Sequence, residues 1–467
     1  MHCAQRDDCF KEYINDECSL TTSTLGSVCS LWRNISLNTP YLWSRFSLEM
    51  GSGWNLDSIK YQLELYLSRS QQFPLSFDVW CEDEFMGEHQ QLICQSIVRL
   101  LIEQSHRWSH TSWNIWSAET ETRALLNVSR DLPLLRTLTL QGPVDDDHPF
   151  GIFKSALSLS RLTLSSPNLE TLDICMDHLN HLRITDLADG NGVMNSIQRL
   201  ANCFPKLRTL SLELQDVPVN VLQSHIREVY LGMLESLHLQ YATWYEIISV
   251  FSVLSLPSLR KISLVRCNHD LDSVSEDQTH PYERTTSVIA SFLSRSNCPL
   301  SILELTELPG LASLGIVDRM LFSIPSLIEL KIHEALSIHD GESHFTTSFS
   351  QALRIPKGSS PDDEHRESSS LDASQSQCSK PILPNLRSLD LLVNTDRPGF
   401  DPFALANMIE SRCIPDAYAD NVQCLRAVKV AVVVHSRESQ TCLGFMQHLN
   451  HLKDAGMPIE LQNSSVT

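Results

Sequence analysis

The sequence predicts an α/β fold, an irregular solenoid of parallel strands with returning helices and loops, preceded by a short helical segment. Three observations lead there. A pattern Pro-x-Leu-x-x-Leu-x-Leu recurs from residue 132 onward. Segments with apolar residues at helical spacing lie between its copies. The steps from Leu207 to Leu234 and from Leu234 to Leu259 are 27 and 25 residues, room for one strand and one return.

The first clear copy runs Pro133-Leu134-Leu135-Arg136-Thr137-Leu138-Thr139-Leu140. Others begin at Pro167, Pro205, Pro257, Pro325 and Pro384. Versions without the proline span Met233 to Leu239, Leu300 to Leu305 and Cys424 to Val430, with shorter echoes at Leu159 to Leu164 and Leu179 to Ile184. Proline has no N–H to give a ladder, so it is expected at the first residue of a strand. In Leu-x-Leu the leucines point to one face and the residue between them to the other. One such strand cannot bury its leucines alone. Stacked strands with a helix returning over the leucine face make a continuous core. Returns are expected at Asp216 to Tyr230, Trp244 to Leu254, Thr286 to Leu293, Leu311 to Phe322, Asp401 to Ile409 and Thr441 to Leu452.

In chain order, residues 1–24 are polar, weakly patterned and expected to be poorly ordered. Residues 25–48 carry Leu25, Val28, Cys29, Trp32 and Ile35 at spacings of three and four, the stripe of one helix. On composition alone such a stripe reads as the first helix of a core. Residues 49–131 give the first irregular units: a helix from Asp57 to Gln72, a strand at Leu75 to Trp80, a helix from Glu88 to Gln104, and a strand region marked by Trp108, Trp113 and Trp116. Residues 132–355 hold the repeats and 382–461 the terminal ones. Two insertions interrupt them. Asn268 to Ser287 reads as an acidic loop, and 356–381, rich in Ser and acid, reads as disordered.

With 42% hydrophobic and 20% charged residues the chain has the composition of a folded protein. No apolar run approaches the roughly 18 residues that span a bilayer, and the N-terminus has no signal layout, so an intracellular protein is expected. A formal net charge of -20 speaks against non-specific nucleic-acid binding. The 14 cysteines include no Cys-x-x-Cys; Cys94, Cys203 and Cys424 sit in apolar patterns and read as packing residues.

The run Val28-Cys29-Ser30-Leu31-Trp32-Arg33-Asn34-Ile35, with Thr39-Pro40 and Leu42-Trp43, resembles the second half of an F-box, in the style of fungal F-box proteins with leucine-rich tails. The Leu-Pro-x-Glu segment and apolar helix that usually open an F-box are not found in residues 1–24. The repeats likewise resemble leucine-rich repeats, whose Leu-x-Leu-x-x-Asn/Cys ending is kept at Leu264 to Cys267 and Leu389 to Asn394. The resemblance implies that Leu25, Val28, Cys29, Trp32 and Ile35 contact a Skp-type adaptor, linking the chain to a cullin ligase core. It implies that the repeats hold an unknown target protein. The alternative is a repeat scaffold with no link to ubiquitin.

No phosphate loop, dinucleotide fingerprint, nucleophile elbow or zinc-protease motif is present, so no enzyme and no cofactor are expected. The pairs His178/His181 and His448/His451 have helical i, i+3 spacing but no third ligand nearby, and Asp145 to Asp147 reads as a solvated turn. What the repeats offer is the face opposite the leucines: Thr137, Thr139, Thr171, Asp173, Thr209, Ser211, Ser236, His238, Lys261, Ser263, Glu329, Lys331, Ser388 and Asp390. That face is polar, mixed in sign and without aromatics. It suits a protein partner, or is simply solvated.

Overall fold

A computed structural model describes residues 22–51, 55–81, 87–115, 132–141, 156–165, 176–187, 190–214, 228–241, 244–266, 281–307, 320–334, 343–355, 382–413, 422–434 and 440–465. It is a mixed α/β fold built on parallel strands, in two units, Met1–Gln215 and Asp216–Thr467.

In the first unit, α1 (Thr22–Val28), α2 (Ser30–Leu37) and a short 3-10 turn (Pro40–Trp43) precede β1 (Arg45–Met50). Then come α3 (Leu56–Arg69), β2 (Leu75–Cys81), α4 (Glu88–Glu103) and β3 (Trp108–Ile115). The strands β4 (Thr137–Gln141), β5 (Arg161–Ser165), β6 (His181–Leu187) and β7 (Thr209–Leu214) follow, with α5 (Gly190–Cys203) before the last. Each strand pairs in parallel with the next in sequence. Under β1 to β3 the core is aromatic: Phe46 stacks on Phe77 at 5.6 Å, and Trp108 and Trp113 close on Phe77 at 5.5 and 5.4 Å. From β4 on it is leucine.

The second unit repeats the scheme with β9 (Ser236–Tyr241), β11 (Lys261–Arg266), β12 (Ile302–Thr306), β13 (Glu329–His333), β14 (Ser388–Asn394), β15 (Ala427–Val434) and β16 (Ile459–Ser465), paired in parallel in that order. A separate two-stranded pair joins β8 (Val229–Tyr230) to β10 (Leu254–Ser255). Helices α6 (Trp244–Val253), α7 (Pro281–Ser296), α8 (Thr347–Leu353), α9 (Pro402–Cys413) and α10 (Gln440–Asp454) return between strands.

The leucine pattern is realised strand by strand. Leu210 and Leu212, Leu237 and Leu239, Leu303 and Leu305, and Leu389 and Leu391 are buried, with half-buried residues between them. The proline does something other than start a strand. Pro133, Pro205, Pro257, Pro325 and Pro384 each lie four residues ahead of their strand, at Thr137, Thr209, Lys261, Glu329 and Ser388. Each is the second residue of a tight turn. The bonds Leu135 N→Leu132 O, Leu207 N→Phe204 O, Leu259 N→Leu256 O, Leu327 N→Ile324 O and Leu386 N→Leu383 O close these turns. Proline fits there because its fixed φ matches the second position of a β-turn. The proline-free copies close the same turn at Ala156/Leu159, Met176/Leu179 and Leu231/Leu234.

The turns also stack. The third turn residue reaches the preceding turn: Ser158 donates to Pro133 O at 2.8 Å, Ser258 to Gly232 O at 2.6 Å and Asn385 to Pro325 O at 3.1 Å. The carbonyl just before each of β4 to β6, β9 and β11 to β14 takes two successive N–H groups from the next repeat, as Arg260 O does from Ser301 and Ile302. These bonds satisfy backbone groups that a bare turn would leave open.

Other expectations shift. The helix stripe at 25–48 is broken and cut short: Cys29 is extended, and residues 45–48 belong to β1. Residues 22–24, read with the poorly ordered lead-in, are helical. Residues 281–287, expected as loop, are helical because Pro281 sits at the first position of α7 and Ile289, Phe292 and Leu293 are buried at helical spacing behind it. Val229–Tyr230, expected in a helix, forms β8. Of the two histidine pairs, only His448/His451 is helical; His178 sits in a turn and His181 opens β6. Cys424 is exposed and Cys203 half-buried, whereas Cys94 is buried. Asn394, at the repeat ending, accepts from the Asp396 N–H at 3.3 Å. The copy at Pro167 with Thr171 and Asp173, the residues Asp145 to Asp147, Trp116 and the stretch 356–381 lie outside the described residues.

Candidate functional site

Two surfaces carry the residues singled out by sequence. The first is α1 and α2. Ser27 Oγ donates to Thr24 O at 2.7 Å, a local bond that draws the end of α1 away from continuing as a helix. Cys29, at φ -160° and ψ 172°, then starts α2. Arg33 Nε donates to Gly26 O at 2.9 Å, tying the two helices together. At the far end Asn38 Nδ2 caps Asn34 O at 2.8 Å and Thr39 Oγ1 bonds Ile35 O at 2.7 Å. Trp43, itself buried, donates from Nε1 to Ser36 O at 2.6 Å, and its ring lies against Tyr66 at 5.0 Å and under the Arg69 guanidinium at 4.3 Å.

All of this anchoring uses the backbone and the polar edge of α2, whose one buried residue is Ser36. The apolar side is left open: Val28 is 62% exposed, Leu31 63%, Trp32 48% and Ile35 52%. The stripe is therefore not a core helix. Cys29 is exposed too, and Leu25 is placed on α1. Leu31 and Ile35, one turn apart, share a face with Trp32 beside them. Three-and-four spacing misses Leu31 because it carries the count through the break at Cys29. Exposed Tyr41, with Arg45 4.9 Å over its ring, adds to the apolar area.

The second surface is the sheet face opposite the leucines, and its residues do fall into rows. In the second unit the register aligns His238, Ser263, Glu304, Lys331, Asp390, Lys429 and Glu460. From Glu304 onward the charges alternate along this row. Lys261, one row below with Ser236, Glu329 and Ser388, reaches Glu304 at 2.8 Å, and His333 approaches Asp390 at 3.3 Å. Burial pushes the Glu304 carboxyl up, but the bonds from Lys261 and Ser263 and the Lys331 charge outweigh it and hold it low. Ser263 is buried, so it is a partner of Glu304 and not a contact surface. Burial holds the His333 imidazole below its ordinary value despite Asp390.

In the first unit, β4 to β7 align Thr137, Arg161, His181 and Thr209 in one row and Thr139, Thr163, Arg183 and Ser211 in the next. On these four strands neither row holds a carboxylate; the second row reaches one, Asp78, only on β2, beyond Ser112 of β3.

No group of three or more His, Cys, Asp or Glu among the described residues is placed to hold a metal. A depression of about 600 Å³ beside the end of α7 is lined by Leu293, Asn297, Cys298, Leu300, Ile324 and neighbours. Its thiol, Cys298, is pushed up by burial, away from the reactive thiolate. No described helix is long and apolar enough to cross a membrane. Compared with protein-family models and with curated proteins, the chain matches none.

Proposed function

We propose that the chain is an irregular leucine-rich-repeat-like solenoid acting as the non-catalytic target-recognition subunit of a cullin-RING ubiquitin ligase. The helix α2 docks a Skp-type adaptor, and the sheet face opposite the leucines holds a target protein. Such a receptor performs no chemistry; it raises the effective concentration of a target lysine near the ligase core. The observation that carries the reading is the open face of Leu31, Trp32 and Ile35 on a helix held by its polar edge. Large apolar side chains kept in water on a clamped helix mark an interaction site. The F-box resemblance supplies the partner.

The test is native co-purification with a Skp-type adaptor. Trp32→Ala is expected to weaken adaptor capture at least about tenfold, the scale of an interface anchor. It is expected to move the unfolding midpoint little, since an exposed substitution changes stability by about 0.5 kcal/mol or less. Wild-type chain that captures no adaptor, or capture indifferent to Trp32→Ala, would overturn the ligase reading in favour of a scaffold.

A further inference from the structure

We infer that the face of β4 to β7 binds a short acidic segment of a partner protein. This rests on reading the sheet face as a partner surface, and does not depend on adaptor docking by α2.

The two units differ in how their sheet faces carry charge. Sequence alone shows a face of mixed sign. Register sorts it. In the second unit Glu304, Lys331, Asp390, Lys429 and Glu460 stand on five successive strands and neutralise one another. Such a ladder presents little net field to a ligand. In the first unit the two rows on β4 to β7 hold Arg161, His181 and Arg183, and every remaining position is Thr or Ser. On these four strands the cationic side chains are thus gathered without a counter-charge in their rows, the nearest acid along either row being Asp78, four strands from Arg183 on β2, in a chain with 56 acidic and 36 basic residues.

Geometry makes the cluster usable. Arg161 and His181 are direct neighbours on adjacent strands, about 4.8 Å apart. Arg183 is one row further along β6, roughly 8 Å from Arg161 across the diagonal. Arg208 lies at the same edge: its charge, with that of Arg161 and after burial, helps hold the His181 imidazole below its ordinary value. Arg161 and Arg183 are exposed, and the hydroxyl residues around them are half-buried and accessible. Among the described residues Arg183 has one acidic partner, Glu213 at 3.9 Å, a long contact between a half-buried carboxylate and an exposed guanidinium that leaves Arg183 open to a second anion.

The chemistry names the ligand. Guanidinium forks bind carboxylate or phosphate oxygens bidentately, and flanking hydroxyls donate to the same oxygens. In an extended segment alternate side chains are about 6.6–6.8 Å apart, a spacing that two arginines on this diagonal meet. A nucleic acid fits worse. A net charge of -20 repels a long polyanion, and neither row has an aromatic for a base to stack on. A short peptide is spared most of that repulsion, because charges further than about 8 Å are screened at physiological ionic strength.

The experiment uses the full chain and fluorescein-labelled 12-residue peptides: one rich in Glu and Asp, the same with two phosphoserines, and a Gln/Asn counterpart. The acidic peptide is expected to bind at least tenfold tighter than the neutral one, with affinity falling as salt is raised. The pair Arg161→Glu and Arg183→Glu, both exposed, should weaken it at least tenfold with an unchanged circular dichroism melt. Lys429→Glu in the neutralised ladder should leave it within twofold. Tighter binding of the phosphopeptide, lost in the same double variant, supports the site with phosphate as its source. Equal binding of acidic and neutral peptides would overturn the inference, as would a double variant that binds normally, or a single-stranded RNA 12-mer that binds better than either peptide. Trp32→Ala is expected to leave peptide binding intact, so loss of adaptor capture and loss of peptide binding report on different claims.

Discussion

Replacing Arg412 with alanine is expected to lower the unfolding free energy by about 3–5 kcal/mol, the cost of breaking a buried charged network. Arg412 is fully buried on α9, and no carboxylate answers it in the bonds its guanidinium makes. Its Nε donates to Leu353 O at 2.6 Å, Nη1 to Leu383 O at 3.0 Å, and Nη2 to Ile382 O. Leu353 ends α8, where the helix dipole is negative, so that carbonyl is a good substitute for an anion. Leu383 has φ 52°, a conformation costly for a branched side chain, and its carbonyl is held there by the same guanidinium. Desolvation pulls the Arg412 pKa down to about 10, which still leaves it charged near neutrality. Alanine would orphan three carbonyls and leave a hole; lysine, with one nitrogen, cannot span three acceptors on two chain segments. Urea titration should therefore rank wild type above Arg412→Lys and Arg412→Lys above Arg412→Ala. Amide exchange should rise first at residues 353–355 and 382–386. A variant as stable as wild type would show that burial here comes without dependence on the charge.

Why some features are legible in the sequence and others not follows from where each is determined. Leu-x-Leu strands are legible because alternation is local: Leu210 and Leu212 declare a buried face without reference to any partner. The proline is legible as a marker but not as a turn residue, since the spacing of apolar residues around it does not show which backbone bond closes there. In Ile324-Pro325-Ser326-Leu327 only the Leu327 N→Ile324 O bond reveals the turn. Helix α5 escapes a pattern search because it opens on Gly190-Asn191-Gly192, residues of poor helix propensity, and among its described side chains only Ile197 and Leu200 are buried.

The candidate sites divide in the same way. Val28, Trp32 and Ile35 stand out by periodicity, but their exposure depends on what fails to pack against α2, which no local pattern encodes. The break at Cys29 is a backbone event, invisible to side-chain spacing. The two charge patterns on the sheet need register. Lys331 and Asp390 are neighbours across 59 residues of sequence, and Arg161 and His181 across 20, so sign segregation emerges only once strands are paired. Arg412 and Glu334 lie outside the repeat pattern, and a single charged residue gives no sign in sequence that it is buried.

Glu334 supplies the second large expected effect. It follows β13 directly and is almost wholly enclosed. One carboxylate oxygen accepts from Ser343 Oγ at 2.7 Å and from the His344 N–H at 2.6 Å, and the other from the Asn394 N–H at 2.8 Å. One side chain thus joins the end of β13 to the segment before α8 and to the last residue of β14. Glu334→Ala is expected to cost about 3–5 kcal/mol, because each donor left unsatisfied in the interior costs about 1–3 kcal/mol. Glu334→Gln should cost less but not nothing: its one oxygen can serve Ser343 and His344, while its NH2 then meets the Asn394 N–H donor to donor. Burial raises the carboxyl pKa, outweighing the three donors and the Arg397 charge that pull it down. A raised folded value means that the contribution of this group is complete below the ordinary glutamate pKa and is lost as pH climbs through the folded value. The stability gap between wild type and Glu334→Ala should accordingly be widest near pH 4 and narrow toward pH 8, read as paired urea midpoints at each pH. A gap that widens with pH would show instead that the donors hold the carboxylate ionised and that burial is the lesser force.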